Sequence, residues 1–149
     1  MQQSTSSIDT QTAPYAAFIL RLALGSMFIA HALLKIMVFT PAGTVKFFES
    51  IGLPGPLAYA VMAAELLGGA ALLLGWQTRR VALALLPVLL GAIYPHAANG
   101  WLFTVSGGGW EYPAFLAAAT LALALLGNGA FAVSGARGAP RANPALQAV

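Results

Sequence analysis

The chain contains no cysteine. Thiol catalysis, disulfides and cysteine-ligated zinc or iron–sulfur centres are thereby excluded. Charge is almost as scarce: Asp, Glu, Lys and Arg make up 7% of 149 residues, against roughly 25% in a soluble domain. Seven Lys/Arg and four Asp/Glu cannot cover a water-facing surface, and 59% of the chain is hydrophobic. Lipid is therefore the expected solvent for most of it. The net charge of +3 is spread along the chain with no basic stripe, so nucleic acid is not an expected partner. No Gly-rich loop joins a strand to a helix, which leaves nucleotide binding unsupported. The GGG at 107–109 reads as a flexible turn. Two histidines at no metal-ligand spacing indicate no metal centre, and no Ser/His/Asp set can be recognised.

What the chain does have is long apolar runs. A spanning helix needs roughly 20 mostly apolar residues, and four segments qualify: Tyr15 to Phe39, Leu57 to Trp76, Val81 to Ala97, and Tyr112 to Val133. Pro41 and Gly43 close the first, GLPGP opens the second, and Gln77 to Arg80 form a polar turn before the third. SGGGWEYP, with Pro113 in a first helical turn, opens the fourth. Pro87 falls inside the third and is expected to kink it. The fold class is thus all-α, a bundle of four transmembrane helices over 15–133, flanked by mobile tails at 1–14 and 134–149. A signal-peptide reading of Arg21 and the following apolar run is disfavoured by the polar residues before it, Asp9 among them.

Orientation follows from Lys and Arg near the span ends. Arg79, Arg80, Arg137 and Arg141, with Arg21 close by, share one side; Lys46 and Lys35 mark the other. The first side, which holds both termini, is the expected cytoplasm.

Five ionisable groups then gather in the outer half: His31, Lys35, Glu65, His96 and Glu111. At 1.5 Å per residue, His31 and Glu65 lie at similar depths, about 10–12 Å below the outer face. His31 and Lys35 are four apart and share a helical face. Charges at mid-membrane are costly and turn toward partners inside the bundle. This face is therefore expected to meet Glu65, with Glu65 as counter-ion to Lys35 or protonated partner of His31. Bland readings stand beside this one. Lys35 and Arg21 can snorkel to headgroups, His96 and Glu111 can be interface residues, and Glu65 can be half of a buried pair that fixes helix register. The rows Ala60, Ala64, Gly68 and Ala114, Ala118, Ala122 are expected to let helices approach closely, and Gly69 to leave room beside Glu65. Trp101, Phe103, Trp110 and Tyr112 suit an interfacial aromatic belt.

The stretches RLALGSMFIAHALLK (21–35), GTVKFFESIGLPGP (43–56), AELLGGAALLLGWQTR (64–79), PHAANGW (95–101) and GGWEYPAFLAAATLALALLGNG (108–129) occur in an order that resembles the DoxX family of small four-helix membrane proteins. The likeness covers Arg21 to Val133. It departs at Ala32, where the family commonly has glycine after the first-helix histidine. The resemblance implies a bacterial plasma-membrane protein, with relatives that look like subunits of thiosulfate:quinone oxidoreductase or accompany membrane oxidoreductases. The positions it carries over are Arg21, His31, Lys35, Glu65, Arg79, His96, Asn99, Trp110 and Glu111.

The expected function is a membrane subunit of a quinone-linked oxidoreductase. Glu65, His31 and Lys35 are the candidate catalytic residues; His31, Lys35, His96, Asn99, Trp110 and Glu111 are the candidate substrate-binding residues. A quinone is the expected cofactor. The expected partners are the lipid bilayer and a redox subunit that delivers electrons, with homo-oligomerisation left open. The rival readings are a transporter of a small acid or anion, with Pro87 as hinge, and a non-catalytic scaffold.

Overall fold

The computed structural model describes residues 9–134. The expected tails fall mostly outside this range, as do Arg137 and Arg141. The described residues contain helices and no strand.

Helix α1 spans Ala13–Leu33 and continues into a wider π-turn, Leu34–Val38. A short helix α2 follows at Pro41–Ser50. Then come α3 at Leu57–Leu74, α4 at Thr78–His96, a single 3₁₀ turn at Ala97–Asn99, and α5 at Glu111–Leu126. Three of these segments are long and apolar enough to cross a membrane: Ala13–Val38, Leu57–Leu74 and Thr78–Asn99. The segment Glu111–Leu126 is apolar but shorter. It stops at Gly127, whose φ of 90° ends the helix, so the fourth expected span is cut short before Val133.

Two further boundaries differ from the sequence reading. The turn before α4 is Gly75 to Gln77, and Arg79 and Arg80 already belong to the helix. Gly75 supplies the left-handed φ of 69° that closes α3, with Trp76 N–H donating to Ala71 O. The loop after α1 holds α2, which was not expected. Pro41 starts it, and the Thr40 hydroxyl accepts from Gly43 N–H. Its Phe48 and Thr44 are buried while Lys46 and Glu49 face out. Phe48 packs with Ala58 and Met62 against the start of α3.

The helices associate chiefly as two pairs, α1 with α3 and α4 with α5. At the first crossing the backbones nearly touch. A Cβ placed on Gly25 would come within 2.9 Å of Gly69 O, and one on Gly69 within 2.8 Å of Gly25 O. Gly69 thus serves helix approach rather than space beside Glu65. Of the small-residue rows, Gly68 does pack on Leu85 of α4, but Ala60, Ala118 and Ala122 are exposed. The buried face of α5 is instead Leu116, Ala117, Thr120, Leu123 and Ala124. Leu24, Phe28, Leu72, Leu85 and Leu89 complete the core between the pairs. α4 runs through Pro87 and Pro95 without interruption.

Arg21 corrects the sequence reading most clearly. It does not snorkel; it is fully buried. Its Nη1 donates to Leu72 O at 3.1 Å and Leu73 O at 3.3 Å, and its Nη2 donates to Ala130 O at 2.6 Å. The last carbonyls of α3 have no partner within their own helix and form the negative end of its dipole. A guanidinium one helix away satisfies them, and the Phe18 ring lies 5.5 Å from its central carbon. The same contact holds the segment after α5 against the bundle.

Candidate functional site

Between the two helix pairs, on the side covered by α2, lies a cavity of 470 Å³. Its walls are mostly apolar: Phe28, Phe47, Phe48, Val61, Leu89 and Leu116 contribute. The polar side chains in its wall are His31, Lys35, Glu65, His96 and Tyr112.

Lys35 and Glu65 meet. Lys35 Nζ is 2.8 Å from Glu65 Oε1 and 2.9 Å from Oε2. This is the one salt bridge among the described residues. Glu65 is buried and Lys35 partly so. Pairing lets both charges persist in this apolar setting. Lys35 sits in the π-turn, where each carbonyl is displaced from its usual partner. Its own carbonyl accepts instead from the Thr44 hydroxyl of α2 at 3.1 Å, and that hydroxyl also reaches Thr40 O at 3.0 Å. The covering helix is thereby tied to the residue that carries the cation.

His31 shares the cavity but not the ion pair. Its Nδ1 lies 2.9 Å from Met27 O, one turn back on its own helix. Its ring stacks with Tyr112 at 6.1 Å between centroids and 22° between planes. The Tyr112 hydroxyl donates to Met27 Sδ at 2.7 Å. Ala32, next to His31, is fully buried, so the extra methyl at this position is accommodated inside the packing.

The remaining predicted residues divide. His96 lines the cavity, and its Nδ1 is 3.0 Å from both Gly107 O and Gly108 O. Asn99, Trp110 and Glu111 stand outside the cavity wall and hold the loop between α4 and α5. Asn99 Nδ2 donates to the same two glycine carbonyls. Glu111 Oε1 accepts from Phe103 N–H at 2.9 Å. Trp110 packs edge-on against Trp101 at 4.5 Å. Gly107 and Gly108, both with φ above 70°, present those carbonyls in a turn that other residues rarely adopt. Arg79 lies at the far end, where its Nη2 donates to Leu125 O at 3.4 Å near the end of α5. Sequence reasoning missed Phe47 and Phe48 as wall residues because it placed no helix there. Tyr112, which suits an aromatic belt by sequence, lies in the first turn of α5 and lines the cavity.

No group of three or more His, Asp or Glu able to hold a metal occurs among the described residues. A cavity of a few hundred Å³, apolar with a few converging polar groups, is the usual form of a small-molecule site.

A model of the DoxX family matches residues 16–103, more than half of the chain, and the chain belongs to that family. With its apolar helices, this makes it a multi-pass membrane protein. A curated relative from Bacillus subtilis (strain 168), named "Putative oxidoreductase CatD", is 41% identical over 75 residues. That alignment covers 50% of this chain and 54% of the relative, so the chain spans about half the length of the protein it matches. No solved structure matches.

Proposed function

We propose that this chain is the membrane subunit of a quinone-linked oxidoreductase of the bacterial inner membrane, and that its cavity takes a quinone headgroup. The supporting observation is the Lys35–Glu65 pair in the wall of a mostly apolar cavity of 470 Å³. The name of the Bacillus subtilis relative agrees in reaction class. The residues fit such a group: the walls suit a lipophilic ring, and Lys35 has a third N–H beyond the two contacts to Glu65. A quinone bound there would supply two-electron, two-proton redox chemistry, with the electrons delivered by a redox partner subunit. The chain would bind and orient the ring, Lys35 would donate a hydrogen bond to one ring oxygen through its third N–H, and Glu65 would relay a proton.

In this reading the bundle crosses the membrane four times, both termini are cytoplasmic, and the cavity opens outward. Arg79 and Arg80 in the first turn of α4 lie at the cytoplasmic end, and Lys46 on α2 at the other. At 1.5 Å per residue α5 is about 24 Å long, a mismatch that a locally thinned bilayer absorbs.

The transporter reading is weaker. Both carboxylate oxygens of Glu65 already sit on Lys35, so a small anion would find the cation neutralised. Native mass spectrometry of the protein, extracted in mild detergent from bacterial membranes, tests the proposal. A bound quinone or a co-purifying redox subunit is expected. A bare chain carrying only phospholipid overturns it. In the active complex Glu65→Gln should abolish quinone turnover, while the circular dichroism of the purified variant reports separately on folding. Normal turnover removes the proton relay.

A further inference from the structure

Both histidines of the cavity have the same ring nitrogen committed. His31 Nδ1 faces Met27 O at 2.9 Å, and His96 Nδ1 faces two carbonyls, Gly107 O and Gly108 O, each at 3.0 Å. A carbonyl oxygen only accepts. In each neutral ring the proton therefore sits on Nδ1, and Nε2 carries a lone pair. Neither Nε2 has a partner among the described residues.

The rest of the polar inventory leans the same way. Glu65 is an acceptor. The Tyr112 hydroxyl proton is directed at Met27 Sδ, which leaves its oxygen as an acceptor. Lys35 is the remaining side-chain donor in the wall, and two of its three N–H groups are turned to Glu65. The cavity is rich in acceptors and poor in donors.

We infer that the cavity retains a ligand that donates hydrogen bonds: a lipophilic phenol or hydroquinone whose hydroxyl is received by Nε2 of His31 or His96. The inference rests on the quinone-linked reading and deepens it, since it assigns the reduced, hydroxyl-bearing form as the one held tightly. A ketone oxygen in the same place meets lone pairs and has Lys35 alone to turn to. A hydroxyl pairs with an acceptor that no side chain or backbone group among the described residues meets. The stacked His31–Tyr112 rings provide a flat face beside it.

The test compares three probes on the purified full-length protein in nanodiscs, under anaerobic conditions: decyl-hydroquinone, the matching decyl-benzoquinone, and the dimethyl ether of the hydroquinone. Equilibrium dialysis should give at least tenfold tighter binding of the hydroquinone than of the other two. His31→Phe or His96→Phe should bring the hydroquinone to the level of the ether and leave the ether unchanged, which also reports an intact cavity. Equal or tighter binding of the quinone overturns the donor inference and leaves the quinone-linked reading standing. Failure of all three probes to bind overturns both. Independently, ¹⁵N spectra of the imidazoles should show both rings protonated at Nδ1 at neutral pH; a proton on Nε2 in both rings overturns the inference.

Discussion

Glu65 receives both of its hydrogen bonds from a single ammonium group, with Lys35 Nζ 2.8 Å from one carboxylate oxygen and 2.9 Å from the other. Each partner is the other's compensation, 30 residues apart on two tightly packed helices. Removing one strands a charge beside an apolar cavity, which typically costs about 3–5 kcal/mol. Lys35→Met and Glu65→Leu should each lower the unfolding midpoint in detergent by several degrees. The double variant should recover most of the loss, because it removes both charges together. A double variant as unstable as the sum of the singles would show that the two side chains act independently.

Arg21 stabilises in a different manner, through backbone carbonyls of two separate segments. Hydrogen bonds to a charged group contribute about 1.5–3 kcal/mol each, so Arg21→Met should destabilise by at least about 3 kcal/mol. Arg21→Lys keeps the charge but cannot reach three carbonyls from one planar fork, and should recover less than half. Hydrogen exchange is the sharper measurement. In Arg21→Lys, protection should fall at the end of α3 and around Ala130 while the middle of α4 stays protected.

Much of this architecture could be read from residue order. The four apolar runs, and the meeting of Lys35 with Glu65, follow from span length, helical spacing and depth, because a charge in lipid has few places to go. Arg21 escaped because its partners are carbonyls of Leu72, Leu73 and Ala130, which leave no trace in side-chain identity. The α2 helix is hidden because Pro41 and Gly43 read as a stop signal, although Thr40-Pro41 also opens a helix and Thr44 and Phe48 are spaced to face one side. The early end of α5 was hidden by the apolar Ala130 to Val133; the signal was GNG at 127–129. Asn99, Trp110 and Glu111 share an end of the bundle with the cavity, yet their partners are local loop atoms that depth alone does not reveal.

The α1–α3 crossing predicts a sharp contrast among glycines. Gly25→Ala and Gly69→Ala each drive a methyl against facing backbone, at 2.9 Å and 2.8 Å from the opposing carbonyl oxygens. Side chains cannot swing away to relieve this, so each should cost about 1–3 kcal/mol. A Cβ on Gly91 of α4 meets nothing within 4 Å. Gly91→Ala should leave stability unchanged or raise it by up to about 1 kcal/mol through helix propensity. Thermal unfolding in one detergent ranks all three. Equal effects at Gly69 and Gly91 would contradict the close crossing.

The Thr44 hydroxyl links the covering helix to the π-turn, donating toward Lys35 O and Thr40 O. Thr44→Val keeps the shape and buried volume but leaves the Lys35 carbonyl without that donor. The expected loss is modest, about 1 kcal/mol, and local. Exchange should quicken over Pro41–Ser50 and the π-turn while α4 and α5 are unaffected. Because Phe47 and Phe48 of α2 form part of the cavity wall, a loosened α2 should also speed release of any ligand that the cavity holds, with little change in its rate of entry. Thr44→Ser restores the hydroxyl without the methyl and should return both exchange and release toward the original values. A Ser variant that behaves like Val would assign the effect to packing of the methyl rather than to the hydrogen bond.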